Sequence, residues 1–350
     1  MDRLPHDFYH RAEYHLLAER RGEGTACLAV YGDSSQFVAW PYLLVPLTSV
    51  PGLEFTDRFD ITSVYGYPGP LSRDGAVDRS FLSEAAIALQ ELWRTQNVVS
   101  VFTRTNPFLN HSGLFEHFGT LVPAGQTISV DLQIPLHESW AQVRRGHRYE
   151  IQKGQEAGLT ICHDQDWRRL SEFISLYRET MQRRAAEGRY LFDQSYFAAM
   201  REMPHGAACH LLLALLHDEV SAGAIFTECY GVVQYHLSAT RQEYRHLSPA
   251  KVLLDRARVW AKGRGNKLLH LGSGVAGAED SLFQFKAGFS NRRHPFFVWR
   301  MVLDQATYDL LAAARAKYCA THGLLSASPG FFPSYRQPLV TAEQFSHAGA

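Results

Sequence analysis

The chain lacks an excess of charge of either sign. Thirty-five lysines and arginines are matched by 35 aspartates and glutamates, and the pI is about 7.3. This excludes a protein that grips nucleic acid by bulk charge and leaves room only for a local basic groove. Long apolar runs are also missing. No stretch approaches the roughly 18 residues of a membrane-spanning helix, so no membrane span is expected. Cysteine is scarce. The five, at positions 27, 162, 209, 229 and 319, are odd in number and show no CxxC spacing. That pattern argues against a disulfide framework and against structural zinc. The 17 histidines fall in no HExxH or HxH spacing, so no metal site is expected. GxSxG and cysteine–histidine signatures are absent, as are heptads and fixed-period repeats. The opening MDRLPHDFYHRAEYH is too polar for a secretory signal, and the expected location is the cytoplasm.

What remains is a globular composition. The 350 residues are 46% hydrophobic and 20% charged, enough for two domains with substantial cores. The first third reads as mixed α and β. Strands are expected over 37–47 and 98–103. Between them Phe81, Leu82, Ala85, Leu89, Leu92 and Trp93 fall on one helical face. The loop Tyr65-Gly66-Tyr67-Pro68-Gly69-Pro70 is too rich in glycine and proline for a helix. Its aromatics suit a ligand wall and a rigid turn equally. A boundary is expected near Ile134-Pro135, giving domains 1–135 and 136–304, the first completed by a 305–350 tail.

The second part begins with a basic helix over 140–156 carrying Arg144, Arg145, Arg148 and Lys153. A helix capped by Asp166 follows. From Cys209 the pattern is a tight antiparallel meander, with strands over 209–216, 222–227 and 232–239. A helix then starts with Ser248 as N-cap and Pro249 in the first position, with Gly263 past its end. A strand over 267–271, a short helix over 279–287 and a strand over 296–302 complete the order. The run Gly272-Ser273-Gly274-Val275-Ala276-Gly277 fits GxGxxG, but no acid lies about 20 residues on. It reads better as a loop lining a cleft than as a dinucleotide site.

This order of elements resembles the core of the GNAT acyltransferases, in which an Arg/Gln-x-x-Gly-x-Gly/Ala loop cradles the pyrophosphate of acetyl-CoA at a helix N-terminus. Here the loop reads Arg245-x-x-Ser248-x-Ala250. Leu282-Phe283-Gln284-Phe285-Lys286-Ala287-Gly288-Phe289 resembles a segment of the Fem-type transferases, Leu-Tyr-x-Phe-Lys-x-x-Phe. Further resemblances are Tyr235 to Thr240, Tyr244 to Pro249 and Trp260 to Gly265. They cover about 136–302 and extend more weakly over 1–135, where Gly69-Pro70-Leu71 precedes Asp74.

The resemblance implies an α/β (α+β) fold of two tandem GNAT-like domains, each a mixed, largely antiparallel sheet flanked by helices. It implies an enzyme that moves an aminoacyl group from aminoacyl-tRNA to the amine of a peptidoglycan-precursor-like or natural-product peptide. An acyl-CoA-dependent N-acyltransferase acting on an amino sugar or small amine is the alternative, and a non-catalytic GNAT-fold binding protein the third reading. No permanently bound cofactor is expected. Aminoacyl-tRNA, held by its acceptor stem, is the co-substrate, with acetyl-CoA as its rival, and the protein is expected to be a monomer. Lys286 matches the family lysine and would stabilise the oxyanion, while Phe285 would shape the pocket. Asp74 would hold or deprotonate the acceptor amine. Arg144, Arg148, Lys153 and Arg245 would hold phosphates, beside Ser248 and Ala250 at the helix start. Tyr235, Ser238, Gly272, Ser273, Gly274, Tyr65 and Tyr67 would line the donor and substrate cleft. Ser248 in place of the middle glycine, and Gln284 where GNAT enzymes carry the tyrosine acid, weigh against CoA and towards tRNA.

Overall fold

The computed structural model describes residues 5–33, 35–53, 57–72, 78–109, 112–115, 118–184, 188–204, 206–326 and 330–341. The chain divides into two compact units, one of residues 9–123 and 296–350, the other of residues 1–8 and 124–295. Among the described residues no helix is long and apolar enough to cross a membrane.

In the first unit, Thr25–Gly32, Phe37–Pro46 and Phe59–Thr62 form an antiparallel run. The helix Arg79–Thr95 then crosses over, and Val98–Arg104 returns parallel to Phe59–Thr62. Asp78 caps that helix by accepting from Ser80 N, and Leu82, Ala85, Leu89 and Trp93 face inward. Residues 298–302 close the sheet antiparallel to Val98–Arg104. Trp40, Trp93, Phe118 and Trp299 fill the centre, with Trp40 and Trp299 ring centres 5.0 Å apart. On another face Asp60 is buried, 2% exposed. Its Oδ1 accepts from Ser100 Oγ and from Tyr335 Oη, each at 2.7 Å, and its Oδ2 accepts from Arg336 Nε at 2.5 Å.

The second unit repeats this order without a sequence period. Thr160–His163, Ala208–Leu216, Glu219–Cys229 and Val232–Thr240 run antiparallel. Their tight turns, His217-Asp218 and Tyr230-Gly231, place both central residues at positive φ, the primed geometry whose twist suits a hairpin. The helix Pro249–Gly263 crosses over, and Leu268–Gly272 returns parallel to Val232–Thr240. Residues 128–131 pair antiparallel with Leu268–Gly272. Ile128, Ile151, Phe226, Leu253, Leu271 and Phe283 are among the core residues. Each unit is thus a mixed, largely antiparallel sheet flanked by helices.

Several local expectations change. The basic helix over 140–156 is two helices, Leu136–Gln142 and Arg145–Glu156, because Val143 and Arg144 are extended. Arg148 Nη1 donates to the carbonyls of Ala141 and Val143, and Arg144 N donates to Gly288 O. The helix expected after Asp166 starts at Leu170, and the carboxylate that receives the backbone N–H groups of Arg168 and Arg169 belongs to Asp164. Ser248 stands before its helix in the left-handed region at φ 52° and makes no side-chain cap bond. Gly263 is the last helical residue, and Gly265 takes the left-handed turn at φ 83°. The strand expected over 296–302 begins earlier, at Arg292.

Candidate functional site

The parallel strands Val232–Thr240 and Leu268–Gly272 pair only from Val232/Leu268 to Gln234/His270. At that level each also carries a register shift against its other neighbour, between Tyr235 and Leu237 on one strand and between His270 and Gly272 on the other. Bulges bend strands and raise local twist. Two at one level part the strands into a fork. Beyond it the two strands no longer pair, and Tyr235 to Ser238 continue past the point where Gly272 ends its strand. In open sheets such carboxyl-end crevices are where ligands bind.

Lys286 reaches this fork. It sits on the helix Ser281–Ala287, capped by Asp280, whose Oδ1 accepts from Phe283 N at 2.9 Å. Lys286 is 8% exposed, and its Nζ donates to Ser273 O at 2.6 Å. Burial disfavours the ammonium, and despite the opposing field of Asp280 the pKa is lowered to about 7. The loop between fork and helix is tightly folded. A Cβ on Gly274 would lie 2.1 Å from Ala278 O, and Asp280 Oδ2 also accepts from Val275 N. The GxGxxG run therefore leads into a helix of only seven residues and offers no dinucleotide cradle.

The floor of the fork is polar. Gln234 is 2% exposed and His270 fully buried. Gln234 Oε1 meets His270 Nδ1 at 2.5 Å, and Gln234 Nε2 donates to Asp7 Oδ2 at 2.6 Å. Burial, then the charges of Lys286 and His294, push the His270 pKa well down, so the ring is neutral. These residues were not expected as site residues. The available signal was a lone polar residue inside each apolar strand, Val-Val-Gln234 and Leu-Leu-His270-Leu.

The residues expected from sequence are distributed as follows. Lys286 meets Ser273, which follows Gly272 at the end of its strand, while Tyr235 and Ser238 lie on the neighbouring strand Val232–Thr240, the Tyr235 ring packed on Phe226 at 5.5 Å. Tyr235 hydroxyl is pushed up to about 12 by burial, against a hydrogen bond to Ser238. Phe285 is half-buried against the core, its ring 5.7 Å from Phe289. Its carbonyl accepts from His147 Nε2 at 2.9 Å, joining the start of the Arg145–Glu156 helix to the end of the Lys286 helix. A Cβ on Gly288 would stand 2.2 Å from His147 Nε2, so an alanine there would have to displace the His147 ring. Gly288→Ala is expected to break that contact and destabilise the protein by about 1–3 kcal/mol, measured as a lower denaturant midpoint.

Arg144, Lys153 and Arg245 are exposed. The helices that carry or follow them pack together, and Gly154 lets them approach, since its Cβ would lie 2.8 Å from Leu247 O. Arg148 is occupied by the Ala141 and Val143 carbonyls and is a structural brace. At the Pro249–Gly263 helix start, Pro249 has no N–H, and Lys251 and Val252 both donate to Ser248 O. Ala250 is left as the first outward donor, a thin cradle for a pyrophosphate. Tyr65 and Tyr67 belong to the other unit, where the Tyr67 ring meets Phe296 at 5.2 Å and Tyr9 at 6.2 Å. Asp74 lies outside the described residues.

A depression of about 740 Å³ is lined by His163, Trp167, His210, Trp260 and Arg264, at the far end of the Pro249–Gly263 helix. Its charges are already used, since Glu228 accepts from His210, Arg264 and Asn266. The fork, which holds a buried cation, is the better candidate.

Residues 141–286 match the family model of the acetyltransferase (GNAT) domain. That segment of the chain is a GNAT domain. Its structure is similar to that of FemX, with 14% identity, a TM-score of 0.66, and coverage of 88% of this chain and 95% of FemX. A conserved protein of unknown function from Bacteroides thetaiotaomicron is similar at 11% identity and a TM-score of 0.58, over 85% of this chain and 93% of that one. The C-terminal domain of a candidate lysylphosphatidylglycerol synthetase from Agrobacterium fabrum is similar at 14% identity and a TM-score of 0.53, over 89% and 93%. At these identities the likeness is one of fold. No curated protein matches the sequence. In the GNAT fold found here, the fork and Lys286 lie within the second unit.

Proposed function

We propose that the chain is an acyltransferase that forms an amide bond, taking an aminoacyl group from aminoacyl-tRNA and giving it to an amine of a peptide or small molecule. The observation that carries this reading is the buried Lys286 ammonium at the open end of the fork. The acceptor amine attacks the ester carbonyl, and negative charge gathers on the carbonyl oxygen. A cation held in a dry site stabilises that charge by several kcal/mol, more than it would in water. As the C–O bond to the ribose breaks, the amine proton passes to the departing oxygen by way of the neighbouring ribose hydroxyl. No strong protein acid is then required, which suits an exposed Gln284.

The thin helix start at Pro249 and Ala250 supports tRNA over CoA as donor. Exposed Arg144, Lys153 and Arg245 would meet the phosphates of the acceptor stem. Acetyl-CoA is the second reading, favoured by the family model over 141–286. Direct binding separates them. Charged tRNA is expected to bind with a steep salt dependence, weakened by Arg144→Glu, while acetyl-CoA shows no binding at millimolar concentration. Tight acetyl-CoA binding with no tRNA binding would reverse the assignment.

A further inference from the structure

Lys286 sits on a helix too short to hold its own place. Ser281–Ala287 has seven residues, about two turns, and a helix of that length is not stable alone. Its position is set at its ends. Asp280 fastens the front. The start of the Arg145–Glu156 helix fastens the back, where Arg144 N donates to Gly288 O at 2.8 Å and His147 Nε2 to Phe285 O at 2.9 Å. Gly288 N also donates to Phe285 O, at 3.2 Å, but it belongs to the same turn and moves with it. The histidine contact acts next to Lys286 itself. A peptide group is planar, so the Phe285 carbonyl, the Lys286 nitrogen and the Lys286 Cα share one plane. A bond that fixes this carbonyl fixes the root of the lysine side chain, whose far end donates to Ser273 O. The ring making the bond is confined in turn. His147 is 7% exposed, stands edge-on to Phe289 at 5.1 Å, and fills the space left by the missing Cβ of Gly288. A carbonyl only accepts, so His147 must carry a hydrogen on Nε2. Burial lowers its pKa, so near neutral pH the ring is uncharged.

We propose that His147 is a positioning residue for Lys286: by holding the Phe285 carbonyl it sets where the ammonium stands against Ser273 O. The catalytic meaning of this placement rests on the transferase reading of the same site, but the placement itself does not. A hydrogen bond carries the effect, and no charge is involved. The charged groups that act on the ring are Lys251, Glu150 and Arg144. Lys251 and Glu150 pair with each other, and Arg144 is exposed. Asp280 acts on Lys286 from the cap of its own helix. Replacing a neutral imidazole alters none of these charges, so a change at Lys286 would report a displaced ammonium. Released from its dry position, that ammonium would meet water and titrate closer to an ordinary lysine.

The test uses the full chain labelled with ¹⁵N-histidine and ¹³Cε-lysine. Lys286→Met identifies the lysine signal among six, and His147→Gln the histidine signal among 17. In the unaltered chain the His147 nitrogen shifts should be those of the Nε2–H tautomer. His147→Leu keeps the bulk and removes the donor, while His147→Gln sets an amide N–H where Nε2 stood. His147→Leu should raise the Lys286 midpoint by about one pH unit, a tenfold change in the protonation constant. It should also lower kcat for transfer by about 10²-fold and leave the KM for charged tRNA little changed, the mark of a misplaced group that acts in the transition state. His147→Gln should stay near the unaltered chain in both respects. Near-ultraviolet dichroism checks that each variant is folded. An Nδ1–H tautomer in the unaltered chain would overturn the proposal without any variant. So would an unmoved Lys286 midpoint in folded His147→Leu, or equal shifts in both variants, which would make ring packing the cause. Failure of the transferase reading would show as absent transfer, with the tautomer and the midpoints as expected here.

Discussion

Lys286→Met is expected to lower aminoacyl transfer by about 10²–10³-fold, the loss typical of removing one oxyanion-stabilising group. The same change is expected to stabilise the fold by about 1–4 kcal/mol, because an apolar chain of similar shape replaces a buried ion. The two effects have opposite signs, so the assay and a denaturant titration together separate a catalytic lysine from a structural one. The pH dependence follows from the lowered pKa. In the folded chain Lys286 loses its proton near pH 7, whereas unfolded lysine keeps it to about 10.4. Between those values the unfolded state binds more protons, so stability rises with pH through this window on account of this group. The advantage of Lys286→Met should therefore be largest below pH 7 and shrink by pH 10. Transfer by the unaltered chain should fall as pH rises through about 7, where the ammonium is lost.

Asp60→Ala is expected to cost about 3–5 kcal/mol, because it leaves the Arg336 guanidinium without its carboxylate in a buried place. Arg336 is held further by the carbonyls of Val45 and Pro46 and by Ser49 Oγ, so the charge cannot simply swing into water. Tyr335 also loses its acceptor there, and its hydroxyl pKa, now pushed far up by burial and by the Asp60 carboxylate, should fall. The denaturant midpoint measures the loss. Limited proteolysis should show faster cleavage near residues 330–341, and cleavage at the unaltered rate would mean that Asp60 does not anchor this segment.

Local order was legible where one residue type dictates a backbone state. His217-Asp218 and Tyr230-Gly231 mark hairpins, and Pro249 marks a helix start, because these turns and the first helical turn accept few alternatives. The Phe-Lys-x-x-Phe setting singled out Lys286 as a candidate, and the structure buries it against Ser273 O. Failures came where a distant group completes a local pattern. Asp166 looked like the cap, but the backbone bends so that Asp164 receives the N–H groups. Arg144 to Glu156 looked continuous with residues 140–143, but Arg148 folds back onto the Ala141 and Val143 carbonyls and Gly288 accepts from Arg144 N. The polar floor of the fork joins Asp7, Gln234 and His270 across 227 and 36 positions of sequence. Neither helical nor strand periodicity reports contacts of that span. The repeated topology of the two units leaves no period in the sequence, since it keeps the order of elements and not the residues, and it was legible only through the family resemblance.

The most direct measurement is transfer of a labelled amino acid from charged total tRNA to acceptors in a cytosolic extract, run with the unaltered chain and with Lys286→Met. The account predicts RNase-sensitive transfer by the former and a loss of about 10²–10³-fold in the latter. Undiminished transfer by Lys286→Met, or transfer from acetyl-CoA alone, would contradict it.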